Sequence, residues 1–244
     1  MRKFIDQNSF RQPRYMTDSA WHKHSPFAFW LLFVLKPKMI VELGVHNGFS
    51  FFVFCEFAQQ SKGRTLCYAV DHWKGDEHAG FYEDKVFEEF SAHQAQYGKL
   101  SKVVKATFDE ALDQFQDGSI DFLHVDGRHF YDDVKHDFNN WRKKLKKDAI
   151  VLFHDTAVLE RDFGVHLFWA ELRQEFPLTF EFRHGHGLGI LCYGDGAALP
   201  SKVYRFFHLS PKEALEAENI YKALGNQIHY SFLLDAYKIP YSRD

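Results

Sequence analysis

From residue 39 onward the chain alternates short apolar, β-branched runs with longer stretches whose apolar side chains recur every three or four positions. That alternation is the sequence form of a parallel sheet with crossover helices. Strands are predicted over Met39–Leu43, Thr65–Val70, Lys102–Lys105, Ile120–Val125 and Ala149–Phe153. The intervening helices are predicted over Phe49–Gln60, Phe81–Tyr97, Phe108–Phe115 and Tyr131–Leu145. In the last of these, Val134, Phe138, Trp141 and Leu145 fall at i, i+4, i+7 and i+11, one face turned to a core. Val165, Phe168, Trp169, Leu172 and Phe176 mark a further helix, followed by two strands, Leu178–Phe182 and Leu188–Tyr193. His184-Gly185-His186-Gly187 joins these two so tightly that they are expected to pair antiparallel at one edge. The fold class is therefore α/β, a doubly wound seven-stranded sheet, mostly parallel with an antiparallel edge hairpin, plus N- and C-terminal helical appendages. Pro211–Leu224 has helical spacing, with Gly225 as its expected C-cap. No repeat or linker interrupts the chain. A single domain 1–244 is expected, with a helical cap 1–38, a core 39–193 and a C-terminal helical appendage 194–244.

Composition narrows the function classes. The 244 residues carry 30 Lys+Arg against 33 Asp+Glu, a net charge of −3, which argues against a sequence-independent nucleic-acid binder. With 27 Phe the core should be built of large flat side chains. Cys55, Cys67 and Cys192 lie in apolar runs and read as buried thiols of a reducing compartment. Residues 1–15 hold no long apolar stretch, so no secretory signal is expected there. Phe27–Leu35 is too short to span a bilayer and Pro37 closes it. The expected location is cytoplasmic.

Two motifs carry candidate binding chemistry. Val41-Glu42-Leu43-Gly44-Val45-His46-Asn47-Gly48-Phe49-Ser50 stands where the first strand hands over to a helix. Its glycines permit a tight turn that brings backbone N–H groups toward a ligand. It lacks both the spacing of a dinucleotide fingerprint and the Lys-Ser/Thr ending of a P-loop, which disfavours pyrophosphate ligands. Glu42 in its floor suits a ligand bearing a cationic group; a bare strand-to-helix turn is the bland reading. Ala69-Val70-Asp71-His72-Trp73 ends the second strand with an acid, the usual acceptor for a ribose diol. Trp73 either covers the bound nucleoside or packs on the strand end.

These stretches resemble the class I S-adenosylmethionine-dependent methyltransferases, whose fold is Rossmann-like, and within them the methyltransferase-24 branch. The likeness continues through Phe122-Leu123-His124-Val125-Asp126-Gly127-Arg128-His129-Phe130-Tyr131 and Val151-Leu152-Phe153-His154-Asp155-Thr156, and covers roughly residues 20–193. It implies S-adenosylmethionine as cofactor, held by Glu42, Gly44, Gly48, Ser50, Asp71, His72, Trp73 and Asp126, with Thr107 and Phe108 near the adenine because they open the helix after the third strand. Relatives often sit in polysaccharide-assembly systems, which implies a sugar hydroxyl as acceptor.

Asp126 ends the fourth strand and His154 and Asp155 the fifth, on the edge where ligands of open sheets bind. Two carboxylates and an imidazole can hold Mg²⁺ or Mn²⁺, so Asp126, His154 and Asp155 are the candidate metal ligands. Similar metal-using O-methyltransferases carry their base three residues beyond the first of these acids, here His129; a base with pKa near 7 suits an alcohol proton. His129, Asp126 and His154 are thus the candidate catalytic residues. Each has a bland alternative: Asp126 as a helix cap, His154 as a strand-end histidine, His129 as a substrate contact. His22, His24, His184 and His186 read as loop residues of an acceptor site or turn, and Arg142–Lys147 as a solvated helix end or a contact to anionic glycan-lipid.

The leading expectation is a sugar or glycan O-methyltransferase, with association with glycosyltransferases or a second copy of the chain, peripheral contact with lipid-linked glycan, and no nucleic-acid partner. A methyltransferase for small phenolic or antibiotic scaffolds and a non-catalytic cofactor-binding subunit stay open.

Overall fold

A computed structural model describes residues 4–62 and 64–238; the ends of the expected division, 1–3 and 239–244, lie outside the described residues. The sheet follows the predicted order of elements. β1 (Met39–Leu43), β2 (Leu66–Asp71), β5 (Ser101–Lys105), β6 (Ile120–Val125), β7 (Leu145–His154), β8 (Thr179–Phe182) and β9 (Leu188–Tyr193) form one seven-stranded sheet in the order β5-β2-β1-β6-β7-β9-β8. Only β9 runs antiparallel to its neighbours, β7 and β8.

The phenylalanines explain the face that carries the N-terminal segment. α1 (Ser25–Leu35) and α2 (Phe49–Gln60) are apolar nearly all round, as buried helices are. Phe27, Phe29, Trp30, Phe51, Phe52, Phe54 and Phe57 all lie within 1% of complete burial, so these helices have no solvent face to speak of. On the opposite face α5 (Tyr131–Trp141) and α6 (Val165–Glu175) pack the predicted stripes, Val134, Phe138 and Trp141 against Phe168, Trp169 and Leu172. Cys55, Cys67 and Cys192 are free and buried. No described helix is long and apolar enough to cross a membrane.

Four features depart from the sequence reading. The helix expected to run to Leu145 stops at Trp141; a 3₁₀ turn over Arg142–Lys144 leads into β7, which starts four residues early. Asp148 bends that strand with φ of 63°, and its buried carboxylate accepts from the N–H groups of Gly196 and Ala198, both at 2.8 Å. The basic run is paired rather than free: Lys144 meets Asp117, Lys146 meets Asp121 and Lys147 meets Asp195. Gly225 does not cap a helix. α8 (Pro211–Ala236) runs through it, because a Cβ there would stand 2.2 Å from the carbonyl oxygen of Lys23, and the small residue lets the helix lie against residues 20–24. A short hairpin, β3 (Gly75–Asp76) with β4 (Gly80–Phe81), and the following α3 (Asp84–Gln94) replace the start of the helix expected from Phe81.

Candidate functional site

Five strand ends converge. At the first, Gly44 has φ of 84° and its Cα lies so near β6 that a Cβ would sit 2.0 Å from the carbonyl oxygen of Asp126. Gly48, also at φ 84°, opens α2 against the rings of Phe52 and Phe90. Glycine is required at both, at the first by backbone and at the second by packed rings.

Glu42 does not reach the cleft. It is fully buried, accepts from Ser50 Oγ, and lies 2.9 Å from His124 Nδ1. Trp21 Nε1, a donor only, lies 3.1 Å from His124 Nε2, so the imidazole proton sits on Nδ1 and is donated to Glu42. Burial raises the Glu42 carboxyl above its usual range even against these hydrogen bonds. Glu42 thus supports the floor of the loop from beneath, while Ser50, bonded to it, also lines a smaller cavity beside the cleft, and the direct cofactor contact expected of Glu42 is corrected accordingly. Sequence reading missed Trp21 and His124; a His between Leu123 and Val125 in an apolar strand was the available signal.

Asp71 ties the loop from the side. Its Oδ2 accepts from the N–H groups of Val45 (2.8 Å) and His46 (3.0 Å), and its Oδ1 from that of Trp73 (2.6 Å). Trp73 is 2% exposed, donates its Nε1–H to the His46 carbonyl and packs on Phe87 and Phe90, so the packing alternative holds and it does not cover a ligand. His72 stays accessible at the cleft wall.

A cleft of about 360 Å³ opens above these groups, lined by Gly44, His46, Asp71, His72, Thr107, Phe108, Asp126, Gly127, Arg128 and His129, with Tyr82 and the β3–β4 hairpin on its far side. Thr107 spends its hydroxyl on capping α4 (Phe108–Ala111), and Phe108 lies edge-on to Gly127. Six acidic side chains, Asp71, Asp76, Asp109, Asp126, Asp133 and Asp137, outnumber the cleft's cationic groups, which are Arg128, itself paired with Glu77 and Asp133, and the histidines His129 and His136, raised by their acidic partners. That balance repels a pyrophosphate and receives a cation. It fits a sulfonium nucleoside, with Asp71 near a diol and Phe108 offering an apolar wall.

Asp126, His154 and Asp155 come together as the sequence reading expects, with one potential ligand atom from each lying within 4.8 Å of the others. His154 Nδ1 is 3.3 Å from both Asp126 Oδ1 and Asp155 Oδ2, and His129 Nε2 is 2.8 Å from Asp155 Oδ2 and 3.6 Å from Asp126 Oδ1. Burial alone would lower both imidazoles, but the two carboxylates outweigh it: His129 is pushed up to about 9 and His154 well above its usual value. Asp126 and Asp155 are held below the ordinary carboxylate range, since the facing histidines overcome the opposing effect of burial. His129 is therefore a cation at neutral pH in this arrangement, a correction to the expectation of a base near 7. Two carboxylates and an imidazole form a donor set that fits a divalent cation.

A second cavity of about 220 Å³ shares Gly44, His46, Asp126 and His129 with the cleft and adds Asp18, Ser19, Trp21, Asn47, Phe49, Arg161, Phe163 and His186. His78, in the β3–β4 hairpin, closes over this side: its Nε2 lies 2.8 Å from the Arg161 carbonyl, Arg161 donates back to the His78 carbonyl at 2.8 Å, and its ring lies on Phe163. His22 and His24 are not loop residues; both are fully buried on a 3₁₀ turn, Ala20–His24, and His184 is bound to Glu218 at 3.0 Å. Only His186 keeps the exposed turn position expected of the four.

Comparison with known proteins agrees with this geometry. Residues 41–156 match the model of a methyltransferase domain family, methyltransferase 24. Protein y4gI of Sinorhizobium fredii is 51% identical over 180 residues, 74% of this chain, while the chain spans about 20% of that protein's length. The fold resembles the S-adenosylmethionine complex of TomG, an O-methyltransferase of tomaymycin synthesis from Streptomyces achromogenes (TM-score 0.51, 15% identity, 75% of this chain and 83% of that one). It also resembles the S-adenosylhomocysteine-bound methyltransferase PaMTH1 of Podospora anserina (TM-score 0.52, 16% identity, 74% and 90%). Residues 41–156 are thus similar to a methyltransferase domain of the methyltransferase-24 type, carried on the fold of the methyltransferases described above.

Proposed function

We propose that this chain transfers a methyl group from S-adenosylmethionine to a hydroxyl of a sugar or glycan. The observation that carries the acceptor class is the wall of the second cavity, where Asp18, Ser19, Asn47, His129, Arg161 and His186 offer hydrogen bonds beside the rings of Trp21, Phe49 and Phe163, a mixture that suits the hydroxyls and the apolar face of a sugar ring. When bound, S-adenosylmethionine supplies an electrophilic methyl carbon. A divalent cation at Asp126, His154 and Asp155 would supply charge that lowers the pKa of the alcohol. The chain's own part is to aim the hydroxyl oxygen in line with that carbon and to take its proton at His129 Nε2 once Asp126 and Asp155 have released the imidazole from its ion pairs. The products are a methyl ether, a thioether and an imidazolium.

Asp71 gives the first test. Calorimetric titration with S-adenosylhomocysteine is expected to show binding by the wild type, and Asp71→Ala is expected to weaken it by about 1.5–3 kcal/mol, roughly 10- to 150-fold. Three backbone amides lose their acceptor in the same variant, so its thermal midpoint should fall too. Methyl transfer is then assayed on glycosides and on catechols. Turnover confined to catechols would sink the sugar acceptor, and no binding of S-adenosylhomocysteine would sink the reading as a whole.

A further inference from the structure

His129 makes its polar contacts through one ring nitrogen. Nε2 meets Asp155 and Asp126, Phe163 stacks on the ring at 4.5 Å and 13°, and Nδ1 is buried with no hydrogen-bond partner among the described residues. That nitrogen carries a hydrogen in both forms the proposed reaction needs. The imidazolium holds one on each nitrogen, and a neutral ring that receives a proton at Nε2 must keep its own at Nδ1. A buried N–H is ordinarily matched by an acceptor.

A matching acceptor lies in the β3–β4 hairpin. His78 Nε2 faces the Arg161 carbonyl at 2.8 Å, and because a carbonyl only accepts, the neutral His78 ring holds its hydrogen at Nε2 and its lone pair at Nδ1. His78 Nδ1 is likewise buried and unpartnered among the described residues. The two rings meet at 66° with centroids 5.4 Å apart, and both pack on Phe163. One water spans such a gap between two nitrogens, and a small inward movement of the hairpin closes it.

The chain fixes the two backbones around this gap. Asp76 Oδ1 accepts from the N–H groups of His78 (2.7 Å) and Ala79 (2.8 Å), which holds the hairpin tip. The residues just before the two histidines, Glu77 and Arg128, form a two-pronged ion pair with contacts of 3.0, 3.1 and 3.2 Å. The His129 carbonyl accepts from the Gly164 N–H at 2.7 Å. What these contacts leave unjoined is the pair of ring nitrogens.

We infer that His78 is the positioning residue of His129: its Nδ1 accepts the hydrogen on His129 Nδ1, directly or through one water, and so keeps Nε2 turned toward the acceptor hydroxyl. The inference rests on the proposal that His129 takes the acceptor's proton, and names the group that aims it. His78 gains no proton in the step, since the acceptor's proton stays on His129 Nε2.

Two substitutions separate this task from simple closure of the hairpin. In His78→Asn the amide oxygen keeps an acceptor at the place of Nδ1 while the donor to Arg161 is lost; in His78→Gln the amide nitrogen keeps that donor while the acceptor is lost. Both are expected to fold, because the hairpin lies outside the seven-stranded sheet. The readout that needs no acceptor substrate is NMR of the ¹⁵N-histidine-labelled protein, the His129 ring signals being those missing from His129→Ala. A slowly exchanging Nδ1–H signal is expected in wild type and His78→Asn, and its loss to solvent exchange in His78→Gln. In methyl transfer to the glycosides and catechols assayed above, kcat is expected to fall about 10- to 100-fold in His78→Gln with the acceptor KM nearly unchanged, and to stay within about threefold in His78→Asn. The reverse order, His78→Gln active and His78→Asn impaired, overturns the assignment and makes His78 a clamp on Arg161. A signal absent from the wild type, or surviving in His78→Gln, overturns it too. His129→Ala with the wild-type rate overturns the base reading alone, and the Nδ1–H signal still decides whether the two rings are joined.

Discussion

Replacing His129 by alanine is expected to lower kcat by about 10²–10⁴, the usual scale of acid–base assistance, while affinity for S-adenosylhomocysteine changes little. The imidazole lies where the cleft meets the acceptor cavity, with Nε2 2.8 Å from Asp155. Its pH signature follows from its partners. Only the neutral ring accepts a proton, and Asp126 and Asp155 hold the proton on up to about pH 9, so the rate of the cation-free protein should rise with pH through that value. Mn²⁺ should move this limb toward neutrality, because a cation at the two carboxylates displaces the charge that keeps His129 protonated. Rate profiles with chelator and with Mn²⁺ read both effects. A variant that keeps the wild-type rate and the same limb would hand the proton to another group, His154 first.

Gly44→Ala is expected to destabilise the fold by roughly 3–5 kcal/mol, combining positive-φ strain with overpacking against backbone. The methyl would stand 2.0 Å from the carbonyl of Asp126, which directly follows β6, a strand that cannot move without its neighbours β1 and β7. Gly48→Ala should cost less, because the atoms it meets belong to the rings of Phe52 and Phe90, which can turn. Urea unfolding measures the pair. Equal midpoints for Gly44→Ala and wild type would contradict the close approach of β1 and β6.

Local pattern made most of the sheet readable. Strand-rich runs separated by 3.6-residue periodicity locate each of the seven strands to within a few residues, and strand ends in a parallel sheet must share one edge, which brings Asp126, His154 and Asp155 together before any coordinates are known. What stayed hidden depends on contacts distant in sequence. Trp21 reaches His124 across 103 positions, and nothing near either residue announces the other. Gly225 looked like a helix end because its reason lies on Lys23, in another part of the chain. Asp137 was overshadowed by the apolar stripe around it, since a helix position bordering the core can equally border a cleft. The ionisation of His129 is hidden for a related reason: spacing locates a histidine, but the two carboxylates that set its charge come from different strand ends.

The buried relay from Ser50 through Glu42 and His124 to Trp21 also bears on where this domain can be cut. The matched family segment, 41–156, contains three of its four members and omits the fourth, along with α1, which covers the same face of the sheet. A polypeptide trimmed to that segment would leave an imidazole nitrogen without its indole donor and expose the apolar backs of α2 and β1, a loss no residue within the segment can replace. The unit that inherits the site as a working whole must therefore carry the N-terminal helical segment with it, so recombination or truncation near residue 40 severs the catalytic half from its own foundation.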